Sequence, residues 1–376
     1  MKVRATLSFA LKVAPEEATL LLETMKAWRE AVRHVVDFCL TTKRTGLGAV
    51  HRALYRLLRE RYDLPSQLAI DAERQGIWIA KGWLKNSKRG QRPIIRKLWM
   101  VLTPSRSFTF RWTEASILTL KGRRIVRLVY VERWHGRYKG WKVKESRLVV
   151  KNGRIWLKVM VENEVELIKP EMALGVDINY SNITLSDGTR IELTAFRRAF
   201  QLKIHAERIQ KRHHRSWRYL KAVRARIRAL GAKVKHVIED TCRKTANLVV
   251  SRALKAKAAI VLEDLRGLEL ATKKKRRKWR ARLTLWAYRE LQRWICCKAE
   301  LAGVPVFKVN PKGTSITCPK CGSKLTTNGY RRLRCPKCGL EGDRDYIAAL
   351  NLSMRGIPAA LMAPEPDVAP NGMRGN

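Results

Sequence analysis

The chain opens on alternation. Residues 2–13 (KVRATLSFALKV) set apolar side chains at every second position, the period of a strand with one covered face. Pro15 then marks a helix start, with Glu16 and Glu17 in the first turn, where the helix dipole favours negative charge. Leu20, Met25, Trp28, Val32, Val36 and Cys39 follow at helical spacing. AVHRALYRLLRERY (49–62) and LPSQLAIDAERQGIWIAKGWLK (64–85) predict two more helices, so a helical unit is inserted early. From about residue 101 the period returns to two. SFTFRW, SILTLKGRRIVRLVYVE and SRLVVKNGRIWLKVMVEN alternate, and Asn152-Gly153 is a hairpin signal. These segments predict a small antiparallel barrel or sheet that takes in the first strand.

A third unit begins near Pro170. ALGVDINYSNITLSDGTRIEL predicts a strand and a hairpin pivoting at Asp187-Gly188. A basic helical stretch runs from about 195 to 256, then the strand AAIVLEDL (258–265) and a basic loop, KKKRRKWRAR (273–282). LTLWAYRELQRWICCKAELAG (283–303) predicts a helix closed by Gly303, and VPVFKVN (304–310) a short strand. Paired cysteine knuckles come next, then a last helix in DRDYIAALNLSM. The tail MAPEPDVAPNGMRGN is rich in Pro and Gly and predicts disorder.

Length and composition add a partner. At 376 residues and 45% hydrophobic content the chain is folded and exceeds a single core. Its 79 Lys and Arg against 32 Asp and Glu leave a net charge of +47. Self-repulsion on that scale calls for a polyanion, so nucleic acid is the expected partner, bound less tightly as salt rises. No stretch of about 20 residues is apolar enough to span a membrane. The opening MKVRATLSFALKVAP resembles a signal peptide, but Lys12 interrupts its apolar run and no small-residue cleavage site follows. A cytoplasmic protein is expected. Outside the knuckles, Cys39, Cys242, Cys296 and Cys297 lie in apolar helical contexts, as small core residues do, and Trp28, Trp78 and Trp83 fall at helical spacing and read as core.

Two constellations carry chemistry. CPKCG appears twice, and Cys318, Cys321, Cys335 and Cys338 give the C-x2-C-x13-C-x2-C spacing of a treble- or ribbon-type zinc site, with iron–sulfur ligation as the remaining option. Four thiolates leave no open position for water, so such a site braces the fold rather than catalyses. Between the knuckles, Lys320, Lys324, Arg331, Arg332, Arg334 and Lys337 suit either phosphate contact or a solvated face. The second constellation is acidic: Asp177 in LGVDIN, Glu263 in AIVLEDL and Asp345 in GDRDYIAAL. A single acid at a strand end is commonly a cap or ion-pair partner. Three in strand, strand, helix order fit hard divalent cations, and two such ions stabilise the attacking and leaving oxygens of a phosphodiester. Asp264 and Asp343 are rivals, but period two turns Asp264 to the face opposite Glu263, and Asp343 is placed to cap the helix.

GVDIN, IVLEDLRG, AELAGVPVFKVNPKGTS, the CPKCG pair and DRDYIAALN, in this order, resemble the transposon-encoded TnpB proteins, compact relatives of type V CRISPR effectors. The resemblance implies an α/β plus β-barrel architecture, with an RNase H-like RuvC nuclease domain that carries an inserted zinc ribbon. Ahead of it stands a wedge β-barrel bearing a helical recognition insert. The implied boundaries are 1–14 and 101–168 for the wedge barrel, 15–100 for the insert, 169–313 and 341–354 for the nuclease domain, 314–340 for the ribbon, and 355–376 for a disordered tail. Carried onto matching positions, Asp177, Glu263 and Asp345 are the catalytic acids holding two Mg2+ ions, and the four knuckle cysteines hold one structural Zn2+. The implied function is RNA-guided DNA cleavage, with a guide RNA from the transposon end, a double-stranded DNA target, and a monomer or dimer in the prokaryotic cytoplasm, nucleoid-associated when bound. The family pattern Asp-x-Asn-Ala-Ala-x-Asn stands here as Asp345-Tyr346-Ile347-Ala348-Ala349-Leu350-Asn351, with Ile347 in place of Asn.

Basic runs complete the reading. Arg212, Arg215, Arg218, Lys221 and Arg224, with Trp217 and Tyr219 among them, suit an A-form backbone held by shape, or else a solvated helical face. Lys274, Arg276 and Trp279 suit a displaced single strand, with Trp279 stacking a base, or else a plain loop. Two other functions compete with cleavage: a non-catalytic RNA-guided DNA-binding repressor, which predicts loss of an acid, and a transposase or its accessory, which predicts an end-binding domain. Neither prediction is met by the sequence.

Overall fold

The computed structural model describes residues 1–86, 90–179, 181–264 and 278–361. The chain divides into two compact units, Lys2–Glu164 and the chain from Val165 onward together with Met1.

In the first unit the alternating segments become strands: β1 (Lys2–Lys12), β2 (Trp99–Leu102), β3 (Phe108–Arg111), β4 (Glu114–Thr119), β5 (Gly122–Leu128), β6 (Lys142–Val143), β7 (Ser146–Lys151) and β8 (Arg154–Glu164). They form one sheet in the order β2-β7-β8-β1-β5-β4-β3, with β6 beside β8. β1 lies at its centre, pairing antiparallel with β8 through Phe9↔Leu157 and passing to β5 at Leu11↔Leu128. The Asn152-Gly153 hairpin forms as expected, both residues having positive φ (52° and 72°). The sheet curls without closing. Its end strands β2 and β3 meet through the 103–107 turn, where the Ser107 amide donates to Thr103 O (2.9 Å), rather than through a ladder. The expected barrel is thus a half-barrel.

Three helices fill its concave side: α1 (Pro15–Thr42), α2 (Leu47–Tyr62) and α3 (Ser66–Lys85). α1 opens as the sequence dictates, with Pro15 at the first position and Glu17 Oε2 accepting the Ala14 amide (3.2 Å). Trp28, Met25, Val32 and Cys39 of α1 are buried with Phe9, Leu102, Phe108 and Ile117 of the sheet. α3 turns Ala69, Ala72, Gly76 and Ala80 inward, and a Cβ on Gly76 would meet Val35 Cγ1 at 2.5 Å. That small-residue seam sets Trp78 on the outer face, 72% exposed, so Trp78 is not core as expected, while Trp83 is half-buried. A short helix, α4 (Glu132–His135), follows β5.

The second unit is built on β9 (Met172–Ile178), β10 (Asn182–Leu185), β11 (Arg190–Glu192), β12 (Ala258–Glu263) and β13 (Val306–Val309), ordered β11-β10-β9-β12-β13. β9, β12 and β13 are parallel, and β10 runs against its two neighbours. The helices are α5 (Thr194–Arg212), α6 (Lys221–Lys255), α7 (Lys278–Leu301) and α8 (Arg344–Leu361). β9 and β12 are covered on both faces, as parallel strands require, yet period two still sorts their side chains. Leu174, Val176, Ile260 and Leu262 pack with Ile238, Cys242, Leu291 and Ile295 of α6 and α7. Ala173 and Val261 pack instead with Leu352 of α8. Asp177 and Glu263 share the parity of that second set.

Several boundaries differ from expectation. The basic stretch 195–256 is two helices, interrupted by a turn at His214–Ser216. Residues 278–282, expected in a loop, open α7, while Lys274 and Arg276 lie outside the described residues. α8 starts at Arg344 and continues to Leu361, past the expected end at 354; residues 362–376 lie outside the described residues. Cys39 and Cys242 are buried as core, whereas Cys296 and Cys297 are only half-buried. No helix among the described residues is long and apolar enough to cross a membrane.

Candidate functional site

The acids meet because three elements end together. β9 and β12 are parallel neighbours with Leu262 opposite Val176, so Asp177 and Glu263 stand side by side one step further on, at the carboxyl ends of both strands. α8 lies on that face at unusually short range. A Cβ on Gly175 would stand 2.0 Å from Ala349 O, and one on Gly356 would stand 2.2 Å from a Val261 methyl. Glycine at 175 lets the strand touch the helix backbone, and glycine at 356 lets the Val261 side chain lie against the helix. Ser353 Oγ adds a hydrogen bond to Ala173 O (2.7 Å). Docked in this way, α8 brings Asp345, in its first turn, to the strand ends. Asp177, Glu263 and Asp345 all line one cleft of about 790 Å³.

Each acid is held from behind. Asn179 Nδ2 donates to Asp177 Oδ2 (2.6 Å), and Gln292 Nε2 on α7 donates to the Glu263 carbonyl (2.8 Å). Asp343 Oδ1 accepts the amides of Asp345 (2.8 Å) and Tyr346 (3.3 Å), the N-cap role expected of it. Asp264 does not line the cleft. Asp177 is 7% exposed and Asp345 3%. Burial, reinforced by the charges of Glu263 and Asp345, lifts Asp177 to about 7 against the pull of Asn179 and Arg331. Burial also raises Glu263. At Asp177 the charges of the other two acids thus outweigh the pull of Arg331. The cleft's one protein cation in contact with an acid, among the described residues, is Arg331, whose Nη2 is ion-paired to Asp345 Oδ2.

Beside the cleft is a small three-stranded sheet, β14 (Thr326–Thr327), β15 (Arg332–Arg334) and β16 (Glu341–Asp343), in that order. Its two CPKCG segments are near copies. The Gly322 amide donates to Cys318 O and that of Gly339 to Cys335 O, both at 3.0 Å. The Cys318 amide donates to Ser323 O and that of Cys335 to Leu340 O, both at 2.8 Å. The two glycines take φ of 75° and 72°, the left-handed turn that only glycine adopts freely. Two such knuckles aim four thiols at one point, with all Sγ atoms within 4.8 Å of one another. Cys318–Cys338 and Cys321–Cys335 stand at 3.5 and 3.4 Å.

Ile347, the departure from the family pattern, is explained here. It is 1% exposed and packs with Cys318, Leu325, Leu333 and Cys335 in the core of this small sheet, away from the acids. Asn351 Nδ2 donates to the carbonyls of Thr314 (2.7 Å) and Thr317 (2.8 Å), clamping the segment ahead of the first knuckle onto α8.

The basic residues fall elsewhere. Arg212 ends α5, Arg215 and Arg218 lie in and just after the interrupting turn, and Lys221 and Arg224 open α6. His214, Arg215, Trp217 and Arg218 line a groove of about 560 Å³ there, with the Arg218 guanidinium 5.3 Å from the Trp217 ring centre. Trp279 is in the first turn of α7.

The family whose sequence profile is described as Cas12f1-like, TNB domain, matches residues 288–352, from α7 through the cysteine cluster into α8. A TnpB-like protein of Methanocaldococcus jannaschii is 33% identical over 234 residues, covering 59% of this chain and 81% of that protein. The chain belongs to the TnpB-like family. The CRISPR-associated endodeoxyribonuclease Cas12f1 of Sulfoacidibacillus thermotolerans is 31% identical over 134 residues, 35% of this TnpB-like chain and 30% of that relative. In fold, the chain is similar to Cas12f1 solved in complex with a single-guide RNA and target DNA, with a TM-score of 0.62 at 14% identity, over 94% of this chain and 99% of that one.

Sequence reasoning named the three acids and the four cysteines. It did not separate Arg331 from the five other cations between the knuckles, nor did it find Asn179 or Gln292. The signal for Arg331 is its place: its carbonyl accepts the Arg344 amide (2.9 Å), which sets it beside the start of α8.

Proposed function

We propose that this TnpB-like protein is an RNA-guided DNA endonuclease that hydrolyses phosphodiesters with two magnesium ions. The observation that carries this reading is the convergence of Asp177, Glu263 and Asp345, from β9, β12 and α8, on one cleft. Hard carboxylate oxygens in an open, polar cleft fit magnesium. When bound, the ions neutralise charge at the scissile phosphate and make the attacking water more acidic. The chain's own part is to hold three carboxylates aligned at the strand ends. Asn179 fixes Asp177, Gln292 fixes the end of β12, and Asp343 fixes the turn that carries Asp345. Arg331 balances Asp345 and is placed to meet a phosphate when cations take the acids. The sheet order, in chain order 3-2-1-4-5 with the second strand reversed, supports an RNase H-like RuvC domain over 169–313 and 341–354.

The four cysteines form the second centre, a zinc ribbon over 314–340. A tetrahedron with Zn–S of about 2.3 Å has edges of about 3.8 Å, near the 3.4–3.5 Å already present in two Sγ pairs. With four thiolates engaged the site is closed, so zinc braces the ribbon from which Arg331 reaches Asp345 and into which Ile347 of α8 packs.

The half-barrel is the proposed wedge, and α1–α3 the proposed recognition insert over 15–100. The net charge of +47 suits a guide–target duplex. In this reading the basic turn between α5 and α6 contacts that duplex. The test is to purify the protein at low salt and sequence the nucleic acid that accompanies it. One RNA species ending at the boundary of the gene's own element, and cleavage of DNA matched to it, is the expected result. A random mixture removed equally by ribonuclease and deoxyribonuclease, with no cleavage, overturns the proposal.

A further inference from the structure

The tip of the ribbon carries an aromatic ring that the cysteine cluster does not need. Tyr330 is 91% exposed yet lines the same cleft as the three acids. The next residue, Arg331, lines the same cleft and carries the guanidinium paired with Asp345. The tip is a built turn. Gly329 has φ of 84° and Arg331 of 60°, the Asn328 amide donates to Arg332 O (2.9 Å), and the Arg344 amide donates to Arg331 O (2.9 Å). The left-handed backbone at Arg331 sends its guanidinium down to Asp345 and leaves the Tyr330 ring standing open above it. Ile316, half exposed, adds apolar surface to the same lining, and Arg332 and Arg344 add charge. Tyr219 is nearly as exposed, at 83%, but does not line the groove beside it, as befits a scattered surface aromatic.

A flat apolar face beside guanidinium groups and a carboxylate cluster matches one ligand chemistry: the base of an unpaired nucleotide whose phosphate lies toward the cations. We infer that Tyr330 is a stacking platform that positions an unpaired base next to the phosphodiester to be cut. The inference rests on the nuclease reading for its consequence, but not for its binding chemistry. Duplex bases keep their faces covered, so the platform selects a strand already opened. Its contribution is to alignment, and a benzyl ring suffices for it.

Two measurements test it. The first needs no cleavage. Full-length protein in EDTA is irradiated with a single-stranded oligodeoxynucleotide carrying one 5-iododeoxyuridine, and the attached peptide is mapped. Attachment at Tyr330 is expected; attachment only elsewhere, at every position of the label, overturns the inference. The second uses the RNA-bound complex and a matched DNA target bearing one abasic nucleotide, moved stepwise past the cut. Tyr330→Ala is expected to lower kcat/KM about tenfold while Tyr330→Phe retains it. One abasic position should slow the wild type by a similar factor and the Tyr330→Ala variant hardly at all. Wild-type kcat/KM in Tyr330→Ala, or additive losses at every position, overturns it. Cross-linking at Tyr330 in a protein that cuts nothing sinks the nuclease reading and keeps the platform; cleavage without the cross-link or the non-additivity does the reverse.

Discussion

The acidic cleft and the cysteine cluster each gather negative side chains around a place for a cation, and they are built in opposite ways. The four cysteines lie within 21 consecutive residues, on two copies of one knuckle, each closed by its own glycine. The three acids come from β9, β12 and α8, with Asp177 and Asp345 separated by most of the second unit. A local site can be aimed by the chain that carries it. A distributed site is aimed by the fold, and here by one helix lying against two strands, touching β9 at Gly175 with no side chain between. The first is robust and closed; the second is exact only while α8 is docked, and stays open to substrate.

The largest effect should come from the local site. Removing zinc with a chelator, or Cys335→Ser, is expected to unfold the ribbon, since structural zinc is worth about 10–16 kcal/mol to small sites of this kind. One zinc per chain by elemental analysis, and loss of ribbon amide protection on chelation, are the readouts. A ribbon that stays protected without metal would break the contrast. Next come the acids. Asp177→Ala or Glu263→Ala should lower cleavage by about a thousandfold or more while nucleic-acid binding hardly changes. Unchanged cleavage by either variant removes that residue from the site.

Ile347→Asn, which restores the family residue, should behave as a core change rather than an active-site change. An amide placed among Cys318, Leu325, Leu333 and Cys335 finds no partner there, a cost of about 1–3 kcal/mol. Unfolding midpoints should fall while cleavage per folded molecule holds; a faster enzyme of equal stability would show that the side chain reaches the cleft. The smallest effect is that of pH. Asp177 is raised to about 7, so below that value a proton competes with the cation. Magnesium affinity should weaken up to about tenfold per pH unit as pH falls through this range. The same shift has a stability sign. The folded state holds the Asp177 proton more tightly than the unfolded chain, so the metal-free protein should lose stability as pH rises from about 4 to about 7. Calorimetric magnesium titration and thermal melts in EDTA check both, and a flat profile would lower the charge assigned to the cleft.

What the sequence disclosed follows the same division. Strand alternation, the Asn152-Gly153 turn, the Pro15 helix start and the knuckle spacing are written in neighbouring residues and were legible. Asp177 and Glu263 stood out because an apolar β-branched run ends in a charge, which local pattern also records. What stayed hidden depends on contacts between distant segments. Ile347 reads as a departure from a motif until the ribbon core shows what it fills. Arg331 reads as one cation of six until its carbonyl meets the Arg344 amide. Trp78 shares helical spacing with core tryptophans, but the small residues of α3 decide which face is inward. Gly175 carries no signal in a strand beyond its lack of a side chain, and its reason lies 174 positions on, at Ala349.

The docking of α8 on Gly175 also orders events in time. Synthesis delivers β9 and β12 long before Arg344–Leu361 leaves the ribosome, and domains fold as their segments emerge. A nascent chain can therefore assemble its sheet and expose Asp177 and Glu263 while still lacking the third acid. The acidic cleft proposed as the hydrolytic centre is completed by the last helix described, as a single late event, so that on this reading a chain stalled or clipped before Asp345 keeps most of its basic charge without a means to cut.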